Sequence, residues 1–190
     1  MASNLNTGIK FAVNTAFLSL AAFAFTNATA QEIDYPDSFN EPMALFPEAM
    51  GDFHFPISSD VPLAQEYFDQ GFQLMYSFAK EDAARSFQAS HIADTSCGIC
   101  VWGEAWAWGS YLNGAMTTTQ APRAYGAMQQ ALARIDTATT KEADLIKSLQ
   151  SRYVENFDPE TRRDQDQAYA DMMAGVAANY PNDLNIATLY

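Results

Sequence analysis

From residue 59 to residue 190 no stretch alternates apolar and polar side chains with period two. Apolar residues recur at helical spacing instead, in one segment after another, each bounded by a capping residue or a proline. This pattern implies an all-α fold, and the short breaks between segments make neighbouring helices antiparallel. "SSDVPLAQEYFDQGFQLMYSF" opens with Ser59 or Asp60 as N-cap and Pro62 in the first turn, where proline is tolerated. Its apolar positions are Leu63, Tyr67, Leu74 and Phe78. After a break at 79–80, "EDAARSFQASHIA" presents Ala83, Phe87 and Ile92, with Ala84 beside them. "DTSC" recaps the chain at Thr95 or Ser96 for "CGICVWGEAWAWGSYL". The loop "NGAMTTTQAP" ends on Thr119 as a cap, with Pro122 in the first turn of the next helix, "RAYGAMQQALARI". Thr139 and Glu142 form a T-x-x-E capping box for "KEADLIKSLQSRYVENF". Asp158 and Pro159 start "ETRRDQDQAYADMMAGVAANY", whose Arg162, Arg163 and acids read as a solvated helix start. Pro181 stops that helix, and Asn182 or Asp183 caps a last piece.

The chain before this helical region, 61–190, has two parts. Residues 31–60 carry four prolines and no sustained period, which reads as an irregular segment. Its aromatic content predicts packing on the helices through Phe46, Phe53, His54 and Phe55. Residues 1–30 read as a secretory signal: a polar start with Lys10, a short apolar run broken by Asn14, and Ala28-Thr29-Ala30 before a cleavage expected between Ala30 and Gln31. The run falls short of the ~20 residues needed to span a bilayer. The expected mature protein is therefore periplasmic or secreted, with no membrane span. All 23 acidic residues lie after Ala30, in a chain of net charge −13. Such a surface repels phosphate backbones, which excludes nucleic acid as a partner.

A repeat runs through the helices. Gly71 is a small residue suited to a close helix crossing, with Tyr67 four before it, Ala83 and Phe87 in the following helix, and a turn at 94–95. Small residues let paired helices approach, and aromatics fill the space between them. One 34-residue period on, Gly71 maps to Ala105, with Val101 and Trp102 supplying bulk; "QAYADMMAGVAANYPNDL" begins a third unit. The strings "FDQGFQLMYSF", "EDAARSFQASHIADTSCGICVWGEAWAWG" and "RYVENFDPETRRDQDQAYADMMAGVAANYPNDLNIATLY", with "HFP" upstream, resemble a group of exported bacterial tetratricopeptide-repeat proteins. In that group "FDQGL", "EA.RSF..A", "DPDCAMCYWGEAL" and "YP.DLD.ATLYAEAL" recur. The resemblance covers most of residues 51–190. It implies a stacked helical array without an assigned reaction, of which this chain looks like the N-terminal part, with "NDLNIATLY" entering a helix that continues past Tyr190. The chain departs from the group at Cys97-Gly98-Ile99-Cys100, where "CAMC" is usual, and at "WGSYLNGAM", where an Asn-rich loop is usual.

The C-x-x-C pair allows several chemistries. Haem attachment needs a histidine next, and residue 101 is valine. A redox dithiol suits Cys97 in the first turn of a helix, where the positive helix end favours a thiolate. The preceding strand of thioredoxin-type motifs is missing, however. A zinc or copper site would draw on His91, Cys97 and Cys100, with Glu104 on the same stripe and His54 reaching in. Buried thiols or a local Cys97–Cys100 disulfide complete the alternatives. Trp102, Ala105, Trp106 and Gly109 share a packing face. Glu104, Trp108 and Tyr111 lie on the other side and could line a ligand groove. No G-x-S-x-G, H-E-x-x-H or glycine-rich phosphate loop is present. The expectation is thus a non-enzymatic binding or scaffold protein without a cofactor. Its concave helical surface would hold a protein segment or a small molecule. The alternative is a metal or thiol-redox protein centred on the C-x-x-C turn.

Overall fold

Residues 33–190 are described by the computed structural model; the signal sequence expected over residues 1–30 lies outside the described residues. Among the described residues seven α-helices follow one another: α1 (Pro62–Tyr76), α2 (Lys80–Ala93), α3 (Gly98–Trp108), α4 (Ala121–Leu132), α5 (Thr140–Gln150), α6 (Arg162–Asn179) and α7 (Leu184–Leu189). Two 3-10 turns, Asp37–Asn40 and Ile135–Thr137, and one isolated bridge between Tyr111 and Gly114 complete the regular structure. The fold is all-α, and helix pairs stack: α1 on α2, α3 on α4, α5 on α6. No helix among the described residues is long and apolar enough to cross a membrane.

The centre is α3, which touches α1, α2, α4 and α5. Every one of its residues except Trp106 is buried. A helix apolar on nearly all sides has to sit inside its neighbours. Phe87 of α2 is wedged between Gly71 of α1 and Gly103 of α3: a Cβ at Gly71 would meet the ring at 2.8 Å, and one at Gly103 would come closer still. These two glycines let three helices close on one fully buried ring, worth on the order of 2–3 kcal/mol. The repeat reading placed Ala105 where Gly103 serves. The backbone carbonyl of Ala105 instead accepts the Tyr153 hydroxyl at 2.9 Å. Around Phe87 lie Phe68, Phe72 and Trp106 with centroids at 5.3, 6.1 and 6.3 Å. Trp102 Nε1 donates to Leu145 O of α5 at 3.1 Å, which ties the second pair to the third.

Several local readings are corrected. On α1 the buried stripe is Ala64, Phe68, Phe72 and Met75, while Leu63 and Phe78 are exposed. Apolar residues come in adjacent couples here (Leu63–Ala64, Tyr67–Phe68, Leu74–Met75), so spacing alone does not choose between two stripes. Ile92 is 69% exposed at the last turn of α2. The N-caps of α1 and α3 are Val61 and Cys97. The serines expected there, Ser59 and Ser96, both donate their hydroxyls to Asp94, at 2.5 and 2.6 Å, and hold that carboxyl below its usual range. Thr119 does not cap α4. Thr117 pairs reciprocally with Gln120, whose N–H reaches the threonine hydroxyl at 3.2 Å. α5 stops at Gln150, earlier than the periodicity suggested, and α6 begins only at Arg162, because Asp158 closes a turn onto Glu160 and Thr161. The start of α6 is less solvated than its composition implies: Asp166 accepts from Arg152 at 2.9 Å and lies 3.5 Å from Arg162. The Thr139–Glu142 box and the Asp183 cap stand as expected.

Candidate functional site

The sulfurs of Cys97 and Cys100 are joined, with Cα atoms 5.4 Å apart. Cys97 is the N-cap of α3, and its Sγ accepts the Cys100 N–H at 3.2 Å. This is the disulfide alternative: bonded sulfurs offer no thiolate to an ion, and among the described residues no three His, Cys, Asp or Glu side chains are grouped around the turn. The pair is 3% and 0% exposed, so an external thiol has no line of attack and redox exchange is disfavoured. His91 stays half-buried with no partner for Nδ1, and burial, then Arg134, press its pKa down. His54 lies elsewhere, bonded to Asp69 at 2.8 Å.

Glu104 and Trp108 do come together, one turn apart on α3. Trp108 Nε1 donates to Glu104 Oε1 at 3.3 Å. The face expected to be an open groove is covered, however, by the chain's own N-terminal segment. Tyr35 donates its hydroxyl to the same Oε1 at 2.8 Å. The rings of Tyr35 and Phe39 lie 6.2 and 5.4 Å from Trp108, and the Arg123 guanidinium sits 4.8 Å above the indole. Arg123 Nε also donates to Asp34 O. Glu104 is the one acidic or basic residue in α3, and burial pushes its pKa up to about 7 against the two hydrogen bonds, which act the other way. Tyr111 faces a different neighbourhood. Its ring is 6.2 Å from Phe78, and Lys80 Nζ lies 4.4 Å over it while donating to Gly109 O. Burial, then the nearby Arg152, lower the Lys80 pKa to about 8.

Two features of the surface escaped the sequence reading. First, α1 holds the extended segment by its main chain. Gln70 donates to Ala44 O at 2.9 Å and accepts from Phe46 N at 2.8 Å. Gln65 repeats this geometry on Phe55 O and Ile57 N, at 2.8 and 3.0 Å. Each glutamine thus clamps a carbonyl and the N–H two residues on. Asp69 accepts from Phe55 N, Gln73 from Gly51 N, and Glu142 of α5 from Ser58 N. The Phe53 and Phe55 rings stack on Phe72 at 5.6 and 5.0 Å. The signal was present as glutamines on a helix beside a proline-rich aromatic stretch, but nothing in spacing alone links them.

Second, α1 ends in a Schellman motif with an unusual occupant. Ala79 N donates to Leu74 O at 2.9 Å and Phe78 N to Met75 O at 3.1 Å. The left-handed position belongs to Phe78, at φ 64°, where glycine is usual. Phe78 is 53% exposed, Tyr76 43% and Leu112 89%. With Trp106, Tyr111 and Leu189 they line an open pocket of about 340 Å³. No family model, curated protein or solved structure matches the chain.

Proposed function

We propose that this is an exported binding protein of tetratricopeptide-like architecture, which takes an apolar anchor side chain of a protein segment in the pocket between Tyr76, Phe78, Trp106 and Leu112. The observation that carries this reading is Phe78. A phenylalanine in the left-handed region costs roughly 1–3 kcal/mol, and such strain concentrates at ligand sites. Here it turns an exposed ring towards a pocket of other exposed apolar side chains. Clustered apolar exposure of this kind marks interaction sites. The glutamine clamps support a polypeptide occupant, because the same array already holds extended main chain on α1. A buried disulfide is consistent with an oxidising compartment.

The test uses N-phenyl-1-naphthylamine as a fluorescent probe and acetyl-Ala-Phe-Ala-Phe-Ala-amide as competitor. One saturable site is expected, from which the peptide displaces the dye. Leu112→Asp and Phe78→Gly should each weaken dye binding about tenfold, a loss of ~1.4 kcal/mol. Leu112 is almost fully exposed, so its change leaves stability intact. Absence of saturable binding, or indifference to both variants, sinks the reading.

A further inference from the structure

Residues 33–41 are attached differently from the rest of the N-terminal segment. None of them is buried, whereas Met43 and Phe55 belong to the core. The 3-10 turn at Asp37–Asn40 buries nothing. Side-chain hydrogen bonds hold the stretch, from Arg123 to Asp34 O, Tyr35 to Glu104, Ser38 to Glu81 and Arg85 to Glu41 O, together with the Tyr35 and Phe39 rings against Trp108. Lifting this stretch would uncover Glu104 and Trp108 while Met43 and Phe55 stay in place.

What it covers is a built site. Glu104 is 4% exposed at the middle of the central helix. A carboxyl there carries a desolvation cost that a leucine would not. Such perturbed buried acids gather at functional sites. The groups around it read one chemistry: a carboxyl that accepts a hydroxyl hydrogen, an indole that meets a ring edge, and a guanidinium over that indole. Tyr35 satisfies all of them as a ligand would. Trp108 and Arg123 also line an open cleft of about 430 Å³ with Lys80, Tyr111 and Gln120, so the covered site continues to the surface.

We propose that Glu104, Trp108 and Arg123 form a binding site for a phenolic ring, and that Tyr35 is its intramolecular occupant, an exchangeable plug carried on residues 33–41. The incoming phenol donates its hydroxyl to Glu104 and lays its ring against Trp108 as Tyr35 swings out. Two sources share this chemistry: a tyrosine side chain of another polypeptide, and a free hydroxy-aromatic acid. They differ in charge, because the acid brings a carboxylate to the cleft side, where Arg123 and Lys80 stand beside Glu81 and Asp82. The charged and titratable groups facing the plug are Glu104 of α3, Arg123 of α4, and Glu81 and Arg85 of α2.

Calorimetry and amide hydrogen exchange on the purified protein test this, with N-acetyl-tyrosinamide and 4-hydroxybenzoate as the two probes. O-methyl analogues, which lack the donor, serve as controls. One probe should bind saturably and speed exchange over residues 33–41, and its O-methyl analogue should not. Tyr35→Ala removes the competitor and should tighten binding about tenfold or more, because affinity is reduced by the fraction of closed sites. Tyr35→Phe keeps the ring, loses the bond to Glu104, and should tighten binding less; it also serves if the alanine variant folds poorly. Binding of the tyrosinamide alone assigns the site to a polypeptide, and binding of the acid alone to a free phenol. The proposal is overturned if neither probe binds the protein or either Tyr35 variant. Binding that leaves residues 33–41 protected, or equal binding of the O-methyl analogues, overturns it too.

Discussion

At the scale of single residues, Glu104 fixes the sign of a pH effect. Its carboxyl has a pKa of about 7 when covered, above the 4.5 of a carboxyl in water. A pKa raised in the folded state means that its contribution to folding stability is full below about 4.5 and is lost as pH rises through about 7. The unfolding constant in a denaturant titration should therefore rise between about pH 6 and 8, by up to about tenfold per unit above 7. Glu104→Gln should flatten that rise. Gly103 carries a second prediction. A methyl there would come closer to the Phe87 ring than one at Gly71. Gly103→Ala should lower stability by about 1–3 kcal/mol in a denaturant titration, and Phe87→Leu should recover part of the loss in the double variant. The Gly71–Phe87 contact was legible, because a small residue and an aromatic at repeat spacing imply a close crossing. The partner of Glu104 was not, since Tyr35 lies 69 residues away in a segment without a period.

At the scale of elements, the α1–α2 junction sets stability against binding. Glycine adopts the left-handed conformation at Phe78 without the steric cost. Phe78→Gly should raise unfolding free energy by about 1 kcal/mol while it empties one wall of the pocket, so thermal denaturation and dye titration should move in opposite directions. Helix starts were legible only where the capping side chain had no better partner. Thr139 caps α5 because Glu142 answers it locally, at 2.7 Å on the threonine N–H. Ser96 was drawn instead to Asp94 across a turn, Ser59 to the same carboxyl from 35 residues away, and Asp158 was used within its own turn. The C-x-x-C pair shows the same limit. The spacing permitted thiolate, metal or disulfide, and the bonded arrangement at the buried start of α3 selects among them.

At the scale of the whole molecule, the helical class and the stacking of pairs followed from period and short breaks. The path of residues 33–58 did not. An extended segment has no internal pattern to read; its course is set by where α1, α4 and α5 present Gln65, Gln70, Arg123 and Glu142. Those contacts have an evolutionary corollary. Four of the side-chain grips on the segment hold peptide groups at residues 44, 46, 55 and 57, which every residue type but proline supplies in full. The three prolines of residues 42–58, Pro42, Pro47 and Pro56, fall where no N–H is gripped. A saturation scan scored by protease resistance should accept Phe46→Ala, whose ring is 42% exposed, and reject Phe46→Pro and Ile57→Pro. At Phe55, where the ring is fully buried, it should reject small side chains as well. Sequence drift in this stretch is thus free along most of its length and forbidden at a few peptide nitrogens, so homologous segments can keep their course long after their side chains have ceased to look alike.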